Sequence, residues 1–450
     1  MNVTDTARTF LTRIKRSDER LRMLNMVPLS PNRSTTELQT RTEVTSKGFE
    51  VQHGRQLLIC LSLLYTTILF STLAIPAGGE KQMPLSFLTG LLHFGLLAVL
   101  TRCAFDPFRL LAICAAFSVI TLETALFHRD FSPTSLLYVP LVYLPLALTL
   151  PLLNASDMRT IWKHVSILGT IIACLGLIQM AVQILAGGLF LDPLRMLPAG
   201  VLLQGYNTTY PIAYGETLLK PNGMVLLEPS FFSQMIALGL LSELVFFKRK
   251  WRILLFLAGL AASFSGTGVI MLLPAIIFLG SIRTILGFAL LAAILIGVVA
   301  TLGYGTVYLA RATETEDPGS SGHARFVAPY QEMFDGWQEK TSTCLFGKGA
   351  GFADRMAAEN NQVNFGPVTK VGVEYGLVGL VAFTGVWIAL FGRLALPGAI
   401  ITALIIFYFV ASGSFLQPFT VFTIWAATAG FLRSPLEKRS PSIVSRLPAT

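Results

Sequence analysis

The sequence predicts an all-α integral membrane protein with about twelve transmembrane helices, and three observations support this class. Hydrophobic residues make up 53% of the 450 residues and charged residues only 13%, whereas soluble domains carry about a quarter charged residues. The mean hydropathy is +0.64. Apolar runs of roughly 20 residues, the length that crosses a bilayer as a helix, recur along the chain. A soluble fold is therefore excluded.

The apolar runs also predict where the spans lie. We expect them near residues 56–76, 85–101, 110–127, 135–153, 165–187, 224–247, 253–265, 267–282, 285–309, 370–391, 395–414 and 417–432. The seventh and eighth are short, and a serine-rich turn from Ser263 to Gly268 separates them. Residues 253–282 therefore form either two spans or one broken element.

The basic residues predict the orientation, because Lys and Arg are enriched in cytoplasmic loops. They precede the first span, occur in the C-terminal tail and recur in every second loop, as at Arg102, Arg159, residues 248–252, Arg283 and Arg393. Both termini are therefore expected in the cytoplasm. The net charge of +9 then reflects topology and attraction to anionic lipids, and no nucleic-acid partner is expected.

This topology divides the chain into three parts. Residues 1–55 form a basic N-terminal tail that we expect to be mostly disordered, residues 56–432 the transmembrane domain, and residues 433–450 a cytoplasmic C-terminal tail. Two polar segments of the transmembrane domain, 188–222 and 310–369, fall on the outer side. The second is a large loop between the ninth and tenth spans, and its excess of Asp and Glu over Lys and Arg favours that placement.

The strongest candidates for chemistry lie in these outer segments and at the outer end of the sixth span. Arg325 offers a planar guanidinium suited to phosphate oxygens, with a salt bridge to a loop acid as the alternative. His323, two residues earlier, could act as an acid or base, although a lone loop histidine is more often a surface residue. Glu228 and Pro229 open the sixth predicted span, where they are costly unless they line a cavity. The alternative for Glu228 is a structural ion pair with Lys220.

Other polar residues of the large loop carry weaker signals. Gly347, Gly349 and Gly351 lack the spacing of a P-loop and predict a tight turn with close backbone approach, from which Lys348 could reach an anion. Glu374 stands at the outer end of the tenth span. No zinc signature or nucleotide fingerprint accompanies these residues, so neither a metal nor another cofactor is expected.

Three stretches occur in an order that resembles the O-antigen polymerase and ligase family of bacterial inner-membrane glycosyltransferases. They are residues 220–230 (KPNGMVLLEPS), the turn 262–268 (ASFSGTG), and Arg325 followed by Trp337, 346–351 and 373–379. The resemblance covers roughly residues 200–390. Two positions depart from the family pattern: Phe365 and Gly366 stand where many members have a His-Asn pair, and Lys220 stands where arginine is common.

The resemblance implies a GT-C-like fold, a multi-pass location in the bacterial inner membrane, and metal-independent glycosyl transfer at its periplasmic face. The donor would be an oligosaccharide on undecaprenyl diphosphate, and the acceptor a sugar hydroxyl of a second lipid-linked unit. Such a pathway also employs a flippase and a chain-length regulator as partners. The chain resembles the O-antigen or exopolysaccharide polymerases more than the ligases that act on lipid A-core.

The resemblance also implies roles for individual residues. Arg325 and Lys220 would bind the diphosphate, and Glu228 or His323 would deprotonate the acceptor. Lesser candidates for substrate contact are Arg195, Lys348, Arg355, Glu374, Tyr214 and Trp337. The alternative of another class is a lipid-linked oligosaccharide flippase or secondary transporter, but transporters usually gather their polar residues near the bilayer midplane.

Overall fold

A computed structural model describes residues 34–77, 82–206, 208–212, 217–279, 282–299, 301, 316–318, 320–359 and 363–431. The chain divides into two units, residues 1–54 and 55–450, and the second contains every site discussed below. The described part is mostly helical, which confirms the predicted all-α class. Its few strands form two short antiparallel ribbons, one pairing β1 (Ala74–Pro76) with β2 (Gln82–Pro84), the other pairing β3 (Ala104–Phe105) with β4 (Leu148–Thr149).

The α-helices of the described residues follow one another along the chain, and the longest intervals lie between α5 and α6 and between α9 and α10. In order they are α1 (Ser34–Leu69), α2 (Leu85–Leu100), α3 (Pro107–Phe127), α4 (Pro133–Tyr143), α5 (Ala155–Leu185), α6 (Pro229–Ser242), α7 (Lys250–Ser263), α8 (Thr267–Ile277), α9 (Ile282–Val299), α10 (Ser321–Phe326), α11 (Ala328–Glu339), α12 (Thr341–Phe346), α13 (Phe352–Glu359), α14 (Pro367–Phe391), α15 (Gly398–Phe409) and α16 (Pro418–Thr428).

Four helical segments of the described chain are long and apolar enough to cross a membrane. They are α3, α5, α14, and α6 together with its π-helical extension Glu243–Phe247. Several further apolar helices are shorter, among them α2, α8, α15 and α16. The helices therefore support a membrane protein, while the number of twelve spans and the orientation remain predictions.

The helix boundaries differ from the expected spans at two informative places. The first helix extends upstream to Ser34 and ends at Leu69, and residues 74–76 form a strand instead of the end of a span. The sixth predicted span begins at Pro229, not near residue 224. Proline suits the first helical position because its φ is already helical and its missing N–H would have no partner there. Glu228 is consequently the residue before the helix.

The core centres on α6, all of whose residues are buried. Glycines let its neighbours approach closely, as small residues do between membrane helices. A Cβ added to Gly169 of α5 would lie 3.2 Å from the Cα of Gly239, and one added to Gly268 of α8 would lie 2.4 Å from the Ser233 carbonyl oxygen. The backbones of α5 and α8 therefore pack directly against α6.

The polar segment 310–369, where described, is built of short helices over a core of its own. Five buried side chains make this satellite core: Met333, Ala353, Val363, Phe365 and Val373. The Trp337 indole donates a hydrogen bond of 3.0 Å to the carbonyl oxygen of Gly372. The satellite core thus anchors α11 and α13 to the beginning of α14, the long apolar helix that follows.

Candidate functional site

A cavity of about 360 Å³ lies where the starts of α6, α8 and α10 meet. Its polar lining comes from Tyr210, Lys220, Glu228, Ser230, Ser265, Thr267, Ser321 and Arg325. We call it the cationic cavity, because two cations and one carboxylate are the charged side chains among its described lining residues. Three residues predicted from the sequence, Lys220, Glu228 and Arg325, therefore line one space.

Glu228 and Arg325 form the central ion pair of the cationic cavity. Arg325 Nη2 donates to Glu228 Oε2 at 2.7 Å, and the Ser230 hydroxyl donates to the same oxygen at 3.0 Å. Only 17% of the Arg325 side chain and 7% of the Glu228 side chain are exposed. Burial alone would lower the pKa of Arg325, but the adjacent Glu228 charge and hydrogen bond raise it above its ordinary value. Arg325 therefore stays positively charged.

Lys220 supplies the second cation of the cavity. Its residue is 6% exposed, and its Nζ lies 5.8 Å from the centroid of the Tyr210 ring. A buried ammonium over an aromatic face gains cation–π attraction. The backbone on both sides of Lys220 is hydrogen-bonded to side chains that do not line the cavity.

Two glutamines of α5, one helical turn apart, hold the segment that carries this lysine. Gln183 exchanges hydrogen bonds with the Leu219 backbone at 2.7 and 3.0 Å. Gln179 Oε1 accepts from the backbone N–H groups of Asn222 and Gly223, both at 3.1 Å, and its Nε2 donates to Asn222 Oδ1 at 2.9 Å. An amide buried in a membrane helix needs such partners. We call Gln179 and Gln183 the amide clamp.

Hydroxyl groups fix the start of α8 against α6 at the floor of the cavity. Ser233 Oγ lies 2.9 Å from Thr267 Oγ1 and accepts from the backbone N–H of Gly268 at 3.1 Å. Glu228 precedes α6 but makes no side-chain capping bond to it, because its carboxylate faces Arg325. The N-termini of α6 and α8 thus both border the cavity, and helix N-termini favour anions.

A second charged group lies at the beginning of α14. Lys370, whose side chain is 4% exposed, forms an ion pair with Asp354 of α13, and its Nζ lies 4.0 Å from Glu374 Oε1. Glu374 is fully buried, and its Oε1 accepts from the Ala353 backbone N–H at 3.3 Å. We call Lys370, Asp354 and Glu374 the Lys370 cluster.

Tyr206 lies near both the cationic cavity and the Lys370 cluster. Its ring centroid is 6.1 Å from that of Phe231, three residues after Glu228, and it bonds to Gln417, two residues after Phe415, whose ring centroid is 5.7 Å from Lys370 Nζ. Gln417 Nε2 donates to the Tyr206 hydroxyl oxygen at 3.4 Å. Burial and then the Glu228 charge raise the pKa of Tyr206 well above its ordinary value, and the charges of Arg325 and Asp354 act on the same hydroxyl. Tyr206 therefore remains a neutral hydrogen-bonding group within range of both charged sites.

The remaining predicted loop residues have contacts away from the cavity lining. His323 lies in α10; its backbone N–H donates to Ser320 Oγ at 3.0 Å, and its buried Nδ1 has no hydrogen-bond partner among the described residues. Lys348 Nζ lies 5.0 Å from the centroid of the Phe352 ring. Arg355 Nη2 donates to the Asp130 carbonyl oxygen at 3.1 Å.

The glycine-rich stretch wraps tightly over α14. The backbone N–H groups of Lys348 and Gly349 donate to the carbonyl oxygens of Val373 and Glu374 at 2.8 and 2.9 Å. Gly347 has φ +69°, and a Cβ there would lie 2.4 Å from the Glu374 backbone. These N–H groups bond to protein, so the turn positions α14 instead of offering them to a phosphate.

Two predicted substrate residues lie beyond the described side chains. Arg195 belongs to a 3₁₀ turn, Pro193–Met196, and only its backbone is described. Tyr214 falls outside the described residues.

Sequence reasoning missed the Lys370–Asp354 pair and the amide clamp. Lys370 precedes Glu374 by four residues at the start of an apolar segment, and ionisable groups in such segments are functional candidates. Gln179 and Gln183 share one helix face at the same spacing. Both signals were present, but only the fold identifies the partners.

Comparisons with known proteins do not assign this chain to a family. No family model matches the chain, and no curated protein matches it. Within the described residues, no three His, Cys, Asp or Glu side chains are grouped so that they could hold a metal ion.

Proposed function

We propose that this chain is a membrane glycosyltransferase of the O-antigen polymerase and ligase family. In this proposal it polymerises oligosaccharide units carried on undecaprenyl diphosphate, at the periplasmic face of the bacterial inner membrane. One observation carries the proposal: Arg325 lines one cavity, beside two helix N-termini, with Lys220 and Glu228 of a stretch about 100 positions earlier. The residues named for the diphosphate from sequence are thus neighbours in space.

The cationic cavity suits a diphosphate leaving group. When the bond from the anomeric carbon to the diphosphate oxygen breaks, negative charge grows on that oxygen. A guanidinium, an ammonium and helix N-termini already aimed at this position stabilise the charge without reorganising. Glu228 orients the guanidinium through the 2.7 Å bond and leaves one net positive charge on the described lining, so the site attracts an anion.

The position of the cavity supports surface chemistry over transport. Transporters place substrate sites near the midplane, between broken helices. Here the cavity is bordered by the first residues of α6 and α8 and by α10, which belongs to the polar segment between α9 and α14. A flippase would deliver the lipid-linked unit to such a site, and a chain-length regulator would act on the growing product.

The experiment uses substrate that the cell itself provides. Cells lacking this protein should accumulate single lipid-linked units, which can be extracted and supplied to the purified protein in phospholipid vesicles. A ladder of longer glycans from these components alone supports a polymerase. Transfer that requires added lipid A-core identifies the ligase alternative, and no transfer to either acceptor overturns the proposal.

A matched pair of variants tests the cationic cavity within this assay. Arg325→Ala should abolish the ladder at normal protein level. Lys340→Ala removes a cation from the same outer segment, but its side chain is 69% exposed and lies outside the cavity lining. It should leave the ladder unchanged. An unchanged ladder from Arg325→Ala would exclude Arg325 from the reaction.

A further inference from the structure

Three carboxylates belong to the two charged sites. They differ in their exposure and in the hydrogen bonds that they already accept. Glu374 is fully buried. Glu228, 7% exposed at its side chain, receives hydrogen bonds from Arg325 and Ser230 on one oxygen. Asp354 is 57% exposed at its side chain and is held by Lys370 through Oδ1. Asp354 is therefore the carboxylate that a substrate can reach.

The two sites also differ in charge. The described lining of the cationic cavity has two cations and one carboxylate, whereas the Lys370 cluster has one cation and two carboxylates. An anionic diphosphate is attracted to the excess positive charge of the first site. A neutral sugar hydroxyl has no such preference, and a nearby carboxylate favours the loss of its proton.

We infer that the Lys370 cluster and Tyr206 bind the acceptor glycan, and that Asp354 accepts the proton of the attacking hydroxyl. The inference rests on the proposed function. The hydroxyl oxygen forms a bond to the anomeric carbon of the donor, its proton passes to Asp354, and the anomeric carbon–oxygen bond to diphosphate breaks. The bonding electrons leave on the diphosphate oxygen, in the cationic cavity.

The contacts assign different roles to Lys370 and Tyr206. Lys370 is a positioning residue, because its buried ammonium binds Asp354 Oδ1 and orients the carboxylate. Tyr206 lies near both charged sites. Its ring centroid is 6.1 Å from that of Phe231, three residues after Glu228, and its hydroxyl accepts from Gln417, two residues after Phe415, whose ring centroid is 5.7 Å from Lys370 Nζ. It can therefore hydrogen-bond a sugar between the two sites. Asp354 and Arg325 are anchored separately, on α13 and α10, which permits the two lipid-linked substrates to be held independently.

Two readouts separate acceptor chemistry from donor binding. Asp354→Asn should reduce the rate of ladder formation by on the order of 100-fold or more, while undecaprenyl diphosphate binds the variant as it binds the wild type. Arg325→Ala should weaken that binding. Glu359→Gln, an exposed acid of the same helix α13, is the matched control and should keep both properties.

A charge-reversed pair tests whether Lys370 and Asp354 serve only to hold α13 on α14. Lys370→Asp combined with Asp354→Lys restores an ion pair but moves the carboxylate. If Asp354 is the base, the double variant should regain the melting temperature lost in Lys370→Asp without regaining the ladder. Recovery of both would overturn the inference in favour of a structural pair.

The outcomes distinguish this inference from the function on which it rests. If the wild type makes no ladder, the proposed function fails. If the wild type makes a ladder and Asp354→Asn makes it equally fast, only the assignment of Asp354 fails. Loss of the ladder in Glu228→Gln together with an active Asp354→Asn would transfer the role of base to Glu228.

Discussion

Arg325 donates a hydrogen bond of 2.7 Å to Glu228 although 97 positions separate the two residues in the chain. The pair is largely buried, and buried pairs of this kind are weak sources of stability. Its consequence is geometric. The Glu228 carboxylate faces Arg325 and does not cap α6, so a guanidinium and a helix N-terminus border the same cavity.

Neutralising Glu228 should have opposite effects on folding and on anion binding. Glu228→Gln leaves a buried guanidinium without its counter-charge, which costs about 3 kcal/mol of unfolding free energy. The cavity gains net positive charge, so undecaprenyl diphosphate should bind more tightly. Thermal unfolding and a binding titration measure the two effects. Glu339→Gln, at an exposed acid of α11, should change neither, and weaker diphosphate binding in Glu228→Gln would contradict the assigned geometry.

The start of α8 should tolerate a methyl group at one glycine and not at the other. A Cβ on Gly268 would lie 2.4 Å from the Ser233 carbonyl oxygen, whereas a Cβ on Gly266 meets nothing within 4 Å. Gly268→Ala should therefore separate α8 from α6 and cost about 1–3 kcal/mol. Gly266→Ala should stay within about 0.5 kcal/mol of wild type. Equal melting temperatures would show that the two helices do not pack so closely.

Removing the amide clamp should loosen the segment that carries Lys220. Gln179→Leu removes three hydrogen bonds to residues 222 and 223, each contributing about 1 kcal/mol, and leaves buried backbone groups without partners. We expect a lower melting temperature and weaker binding of undecaprenyl diphosphate. Gln338→Leu, on the exposed side of α11, provides the comparison. Unchanged binding in Gln179→Leu would show that the clamp does not position Lys220.

Substitution of a glycine in the glycine-rich turn should reduce stability through steric contact as well as through backbone strain. Gly347 (φ +69°) and Gly188 (φ +95°) both have left-handed backbones, but only Gly347 would bring a Cβ against another backbone, that of Glu374. Gly188→Ala should cost about 1 kcal/mol from strain alone. Gly347→Ala should cost about 3 kcal/mol, because overpacking adds to the strain. Chemical unfolding of the two variants measures the difference, and equal costs would place the turn away from α14.

Composition and hydropathy were sufficient to predict the helical class and the apolar segments, because a bilayer core requires helices that satisfy their own backbone. The boundary of α6 is an instructive exception. Hydropathy extends the segment to residue 224, but Pro229 starts the helix and leaves Glu228 before it. Average hydropathy over a window does not register a single residue that terminates or starts a helix.

The sequence by itself determined the chemistry available to this protein: an apolar chain whose Lys220, Glu228 and Arg325 stand in polar segments at the ends of apolar ones. Only the tertiary structure decided which of these groups meet. Lys370 and Asp354 form a pair because α13 is anchored to α14 by the satellite core, and contacts between distant segments leave no period or spacing in the sequence. Local patterns follow from neighbouring residues, whereas a site assembled from distant ones exists only once the helices have packed.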